Sequence, residues 1–210
     1  MAAASRQSSV ASTAALWDWR RRVADMWHGV RAAENPEAGW RLWRETRAEL
    51  FAKHPQTPLD PGSEMPDYFD YDPKLRFAVA LVAAASDQPM FMPAGVDGEV
   101  KLLPFADTAG LKDALGGELT LYWVTGYGGG VFLPFLDATS GKETYGGGRY
   151  LLDTIKSADH GTTADGKTIL DFNFAYNPSC YYSPRWACPL APRDKRLPAP
   201  VRGGEKGHMP

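Results

Sequence analysis

The chain has 210 residues, of which 44% are hydrophobic and 23% are charged. This length fits one domain of ordinary size, whose apolar core needs neither a metal ion nor disulfides for stability. The 23 Lys and Arg residues nearly balance the 25 Asp and Glu residues, which leaves a formal net charge of -2. A nearly neutral chain lacks the basic surface that binds nucleic acid or an anionic membrane, so we expect neither as a partner.

The first 15 residues are rich in Ala and Ser, with Arg6 as their only charged residue. They lack the continuous apolar stretch of a secretory signal, so we predict a disordered tail over residues 1–15. No apolar run elsewhere approaches the roughly 18 residues that span a bilayer. These features together predict a cytoplasmic protein.

Two amphipathic helices are predicted within residues 16–54. In the first helix, bulky apolar residues such as Val23 and Trp27 recur at helical spacing, with charged residues between them. The second helix should run from Pro36 to about Lys53, because an asparagine N-cap precedes a proline in the first turn and a cationic end precedes the next proline.

The sequence beyond residue 67 changes to short runs of β-branched, aromatic and apolar residues separated by turn residues. The separators contain glycine, which supplies the positive φ that tight hairpins need, and sequential hairpins imply antiparallel pairing. Seven strands are predicted: Leu75–Ala83, Met90–Pro93, Val100–Phe105, Leu119–Thr125, Val131–Leu136, Tyr150–Ile155 and Ile169–Phe174.

From Asn177 onward the chain carries repeated prolines, which argue against both helix and central strand. We expect an extended C-terminal strap across a β-rich domain of residues 67–205, with a loose end over 206–210. The predicted fold class is therefore α+β: two N-terminal helices packed on a mainly antiparallel β-barrel or β-sandwich that the proline-rich strap closes.

Three short motifs suggest ligands but fail on their context. The glycine-rich run 126–130 leads into a strand, so it lacks the helix N-terminus that binds a pyrophosphate. In the run 140–143, Glu143 stands where a P-loop needs Ser or Thr. The histidines have no further ligand at metal-binding spacing, so we predict no metal site. They are His28, His54, His160 and His208.

The last third of the chain carries the densest polar and aromatic cluster. Asp171 and Asn173 are two apart, so on a strand they would share a face, and Arg149 could pair with Asp171. In one interpretation these groups form a structural network. In the other, Arg149 binds an anion and Tyr145, Tyr176 and Asn173 orient it, beside a glycine run that lets the backbone approach a ligand.

Cys180 and Cys188 enclose a seven-residue segment, wider than the C-x-x-C spacing of redox motifs. We favour the interpretation that the two cysteines are buried thiols or form a disulfide within the strap, because no histidine lies nearby in the sequence. A catalytic thiol at Cys180 is the alternative.

Three long segments resemble the bacterial and archaeal family known as Domain of Unknown Function 1684. They are DATSGKETYGGGRYL from Asp137, LDFNFAYNPSCYYSPRWACPLAP from Leu170 and RLPAPVRGGE from Arg196. The resemblance implies no activity, since the family has none assigned. The chain departs from the family pattern at Phe174, where relatives commonly carry Arg or another polar residue.

Three functions are compatible with these residues. The leading hypothesis is binding of a small anionic organic ligand by Tyr145, Arg149, Asp171, Asn173 and Tyr176. An enzyme would use Asp171 as a general base or Cys180 as a nucleophile or redox group. A structural or partner-binding module would need neither a ligand site nor catalytic residues. The sequence identifies no cofactor, including flavin or haem, and fixes no oligomeric state.

Overall fold

The computed structural model describes residues 2–93, 98–193 and 195–207, with side chains in the first helix described from Val10 onward. His208 and the rest of the predicted loose end after Gly207 lie outside the described residues. The helices are α1 (Ala2–Ala32), α2 (Pro36–Lys53), α3 (Lys112–Leu115) and α4 (Ser179–Tyr182). The strands are β1 (Arg76–Ala83), β2 (Met90–Pro93), β3 (Glu99–Ala109), β4 (Thr120–Val124), β5 (Gly130–Phe135), β6 (Arg149–Asp153) and β7 (Thr168–Asp171).

The two N-terminal helices confirm the predicted pair, with one change at the start of α1. Asn35 caps α2, because its side chain accepts a hydrogen bond of 2.9 Å from the Ala38 N–H. Helix α1 already begins at Ala2, so the tail predicted to be disordered is helical over residues 2–15. Alanine, the strongest helix former, dominates that segment and extends the helix before its apolar stripe begins. None of the described helices is both long enough and apolar enough to cross a bilayer.

The strands form one antiparallel sheet that curves into a nearly closed barrel. Its order is β6-β5-β4-β3-β1-β7, and β2 also pairs with β3. Strand β1 pairs with β7 over its first half and with β3 over its second half. An antiparallel bridge between Tyr150 and Tyr176 brings β6 to the chain that follows β7, which nearly completes the ring. Of the two predicted architectures, the barrel is confirmed.

The interior of the barrel is apolar, and the helices cover it from outside. Leu133, Leu151 and Leu170 are fully buried in the main core. A second buried cluster joins the helices to the barrel through Trp43 of α2 and Phe174, whose ring centroids are 5.3 Å apart. The aromatic residues of the helices therefore form a core interface.

Strand β7 is shorter than predicted. It ends at Asp171, and a single 3-10 turn follows over Phe172–Phe174. The prediction that Asp171 and Asn173 share one strand face is therefore wrong. The turn sends Phe172 into the barrel core and Phe174 towards the helices, so both rings are buried on different sides of the chain.

The C-terminal strap closes one end of the barrel. Its Leu197 N–H donates to the Leu136 carbonyl at 2.9 Å, and Val201 is fully buried. The prolines do not exclude helix completely, since α4 forms one turn between Pro178 and Pro184. Lys206, which we assigned to the loose end, is held in place, because its ammonium lies 2.9 Å from an Asp67 carboxylate oxygen.

Candidate functional site

Arg149, predicted to bind an anion, is held by the chain itself. Its side chain is 1% exposed. One terminal nitrogen donates to the carbonyls of Gly203 and Glu205, and the other donates to the Val201 carbonyl at 2.8 Å and to Asp137 at 3.1 Å. Arg149 therefore anchors three carbonyls of the strap beneath the surface, and a ligand would have to displace them.

Asp137 completes this buried network from the glycine-rich segment. One carboxylate oxygen accepts from Arg149 and from the Val201 N–H. The other oxygen accepts the Thr139 N–H at 2.9 Å and the Ser140 N–H at 3.1 Å, which folds the loop after β5 into a tight turn. The polar residues at the start of the glycine-rich segment thus fix the loop and the strap.

The glycines of this segment also have a packing role. Gly148 has a φ of +88°, and a Cβ atom there would lie 2.7 Å from the Phe135 carbonyl oxygen and 2.6 Å from the Ala191 Cβ. Only glycine combines this conformation with so close an approach. Gly148 therefore packs against the strap at Ala191 and against the backbone of β5.

Asp171 and Asn173 belong to a separate network, so the predicted Arg149–Asp171 pair is wrong. Asp171 pairs with Arg76 of β1 at 2.8 Å, and its other oxygen accepts from the Asn173 side chain at 2.9 Å. Asn173 also exchanges two hydrogen bonds with the backbone of Asp72. Burial raises the pKa of Asp171, against the opposing effect of Arg76 and Asn173. Because Asp171 is fully buried, a base at this position has no direct access to a substrate.

Glu205 organises a third network, which sequence reasoning missed. Its buried carboxylate accepts from Arg47 of α2, from the Tyr182 hydroxyl and from the Asn177 N–H. The guanidinium of Arg47 also lies 4.7 Å from the Phe51 ring centroid. The available signal was an arginine on the apolar side of α2, a position that needs a buried partner.

Tyr145, Tyr176 and Cys180 are the predicted site residues that keep some exposure. Tyr176 donates to Asp153 over 3.4 Å, and its ring lies below the Arg47 guanidinium at 5.2 Å. Tyr145 packs on Tyr181 and is next to Cys180. Tyr145 thus lies beside Cys180, whereas the hydrogen bonds and ion pairs of the Arg149 and Asp171 side chains involve neither residue.

A shallow groove of about 420 Å³ lies between α2 and the segment before β1. We call it the α2 groove. Within it the Arg44 guanidinium lies 4.6 Å from the Trp40 ring and 4.7 Å from the Tyr68 ring. No carboxylate of the described chain lies within 4 Å of the Arg44 guanidinium. The lining residues are Trp40, Arg41, Arg44, Glu45, Ala48, Met65, Pro66 and Tyr68.

Comparison with known proteins places the chain in a family. The model of a family described as protein of unknown function DUF1684 matches residues 64–206, which is more than half of the chain. The chain belongs to DUF1684. No curated protein matches it. A DUF1684 assignment therefore confirms the predicted resemblance and brings no activity with it.

One solved structure extends the likeness beyond the family segment. It is the solution NMR structure of an uncharacterised protein from Haloarcula marismortui, 28% identical, with a TM-score of 0.56. The match covers 81% of this chain and 93% of that chain. The DUF1684 match alone starts at residue 64, after Trp40 and Arg44. The α2 groove is thus built partly from residues outside the matched DUF1684 segment.

Proposed function

We propose that this DUF1684 protein binds a small anionic organic molecule in the α2 groove. The observation that carries the proposal is the position of Arg44, whose guanidinium contacts two aromatic rings and forms no ion pair within 4 Å among the described residues. The Asp67 carboxylate acts on Arg44 only at longer range and is itself paired with Lys206. The ligand class is the one that we predicted from the sequence, but the location is new. Arg149, the predicted anion-binding residue, is already occupied by the strap and Asp137.

The stacking of Arg44 supports binding of a carboxylate or phosphate. Rings at 4.6 and 4.7 Å restrict the guanidinium and contact its faces. The N–H groups of a guanidinium lie in its plane, whereas stacked rings occupy its faces. A stacked arginine can therefore still donate hydrogen bonds to a planar anion such as a carboxylate. Less side-chain freedom is then lost when the anion binds.

The other lining groups favour a ligand with an apolar body and a single negative charge. Trp40, Met65 and Tyr68 supply an apolar and aromatic surface, and about 420 Å³ suits a small molecule. Arg41 is already paired with Glu37 at 2.9 Å. Glu45 would repel a second negative charge, which argues against a polyanion.

The buried indole N–H of Trp40 supplies further support. Trp40 is 7% exposed, and its Nε1 has no acceptor among the described residues. A buried donor without a partner costs free energy comparable to a lost hydrogen bond. A ligand oxygen that reached Nε1 from the groove would satisfy this donor in addition to Arg44.

The test uses benzoate as the monoanionic probe, with benzamide as the neutral analogue. We expect benzoate to shift the Trp40 indole resonance in a proton–nitrogen NMR titration, and benzamide to bind at least tenfold more weakly. In Arg44→Gln the anion affinity should fall about 10- to 100-fold, the range for a charge-assisted hydrogen bond of about 1.5–3 kcal/mol.

The matched control is Arg21→Gln. Arg21 also stacks on a tryptophan, Trp17 at 4.5 Å, but it lies on α1 outside the groove. Its substitution should leave the affinity unchanged, and circular dichroism should show that both variants are folded. Equal binding of benzamide and benzoate, or an unchanged affinity in Arg44→Gln, would contradict the proposal.

A further inference from the structure

The two cysteines lie in contact although seven residues separate them. Cys180 belongs to α4, and Cys188 follows the exposed segment 184–187. The Cys180 N–H donates to the Cys188 sulfur at 3.4 Å. Both residues are free thiols of intermediate burial. The two cysteines are therefore neighbours in the fold, and neither is fully buried. The segment between them is held by hydrogen bonds from Arg185 and Trp186 to the loop after α2.

The surroundings distinguish the two thiols. A backbone N–H aimed at sulfur stabilises a thiolate more than a thiol, and Cys188 receives one from Cys180. The Lys156 ammonium contributes positive charge near Cys188, although it also pairs with Asp153 at 2.8 Å. The hydrogen bond from the Cys180 thiol lowers the pKa of Cys188, and the same contact raises the pKa of Cys180. Cys188 is thus the better nucleophile near neutral pH.

Tyr145 lies beside the pair on the Cys180 side. Its hydroxyl is close enough to Cys180 to oppose the rise in the pKa of that thiol, and its ring packs on Tyr181 at 5.2 Å. A hydroxyl donor at this position can stabilise Cys180 as it loses its proton in a second step. The glycine-rich loop therefore contributes to a thiol site through Tyr145.

We propose that Cys180 and Cys188 form a dithiol–disulfide couple that exchanges with low-molecular-weight disulfides. This activity is independent of the anion site in the α2 groove. It differs from the sequence-based idea of a catalytic thiol at Cys180, because the geometry assigns the first attack to Cys188.

The exchange has two balanced steps. The Cys188 thiolate attacks one sulfur of the disulfide RSSR, forms a mixed disulfide and releases the thiolate RS⁻, which takes up a proton from water. The Cys180 thiol then loses its proton to water, and its sulfur attacks Cys188 of the mixed disulfide. The internal disulfide forms and the second RS⁻ leaves. Two thiols of the protein are oxidised, and one disulfide is reduced to two thiols.

The experiment uses the full chain, reduced and then freed of reductant, with oxidised glutathione as the probe. Intact mass and peptide mapping should show the loss of two hydrogen atoms and a Cys180–Cys188 disulfide under native conditions. Cys180→Ser should stop at the glutathione mixed disulfide on Cys188. Cys188→Ser should react at least tenfold more slowly than Cys180→Ser.

Several results would overturn the proposal. One is a wild-type protein whose cysteines react only after denaturation. Another is stable glutathione adducts on wild type without the internal disulfide. Equal rates for the two single variants would reject Cys188 as the attacking thiol. If a serine variant fails to fold by circular dichroism, disulfide mapping of the native wild type decides alone.

Discussion

Buried arginine side chains in this protein hold distant parts of the backbone together through hydrogen bonds. Arg149 satisfies three strap carbonyls and one carboxylate at a position with almost no access to water. A buried ion pair is expensive to form, but removal of one partner leaves the other charge buried and unpaired. The stability of the strap should therefore depend on this side chain far more than on the ion pairs at its surface.

We predict that Arg149→Met lowers the free energy of unfolding by about 3–5 kcal/mol, because it leaves Asp137 buried without its charge partner and three carbonyls without a donor. Urea denaturation followed by circular dichroism measures the change. A midpoint close to that of wild type would instead indicate that Arg149 is dispensable for the fold and free for a ligand.

The matched control for Arg149 lies on the same strap. Arg202 makes a pair of hydrogen bonds to Glu143 at 2.7 and 2.9 Å, but the Arg202 side chain is 58% exposed. An exposed pair contributes only about 0–1 kcal/mol because water and salt screen it. Arg202→Gln should thus leave the free energy of unfolding nearly unchanged, which separates the effect of burial from that of the ion pair itself.

At the scale of elements, the helices meet the barrel through His160. The imidazole lies edge-on to Phe174 at 4.5 Å and to Trp27 of α1 at 5.2 Å. Its Nε2 has no partner among the described residues. Burial, with smaller contributions from Arg76 and Arg31, lowers the pKa of His160 to about 3. The helix–barrel interface thus contains a histidine that must remain neutral.

We predict that this histidine makes the fold acid-sensitive. In the unfolded chain a histidine takes up a proton below about pH 6.5. The folded chain resists that proton until about pH 3. Between these values the unfolded state binds more protons, so the contribution of His160 to stability is lost as the pH falls, by up to about 1.4 kcal/mol per pH unit.

The measurement compares urea denaturation at pH 6.5 and 4.5 in wild type and in His160→Phe, which keeps an aromatic ring at the interface. The loss of stability on acidification should be smaller in the variant by about 2–3 kcal/mol, which is two pH units at the slope above. His28→Phe is the control, because His28 is exposed on α1. Parallel losses in wild type and His160→Phe would contradict the assignment.

The elements themselves were largely predictable, because their signals are local. The capping residue and proline place the start of α2, and turn residues separate all seven strands. Strand β2 matches its predicted bounds. The alternation of apolar and polar residues led us to extend β7 through Phe172 to Phe174, which is wrong. A 3-10 turn buries both rings, and sequence alternation alone cannot identify such a turn.

The polar partners were much less predictable, because they depend on tertiary contacts. Arg149 pairs with Asp137, which precedes it by 12 residues, and with strap carbonyls more than fifty residues later in the chain. It does not pair with Asp171, the partner that we predicted from the neighbouring strand. Residue spacing identifies a charge that needs a partner but not which carboxylate the folded barrel brings to it. The same reason explains why the pairing of Arg47 with Glu205 was missed.

At the scale of the whole molecule, Glu205 joins the three parts of the fold. It lies on the strap, pairs with Arg47 of α2 and bonds to the Asn177 N–H just after the barrel. Its carboxylate also accepts from Tyr68, which lines the α2 groove. Helices, barrel and strap are therefore coupled through one buried carboxylate, and we expect them to unfold together.

We predict a single unfolding transition for wild type, with coincident midpoints by tryptophan fluorescence, which mainly reports on the helices, and by far-ultraviolet circular dichroism. Glu205→Gln should lower the free energy of unfolding by about 3–5 kcal/mol, because Arg47 stays largely buried without its charge partner. Glu143→Gln, at an exposed pair, should leave the free energy of unfolding nearly unchanged. If Glu205→Gln were equally mild, the helices would be held by apolar packing alone, and Glu205 would not couple the three parts.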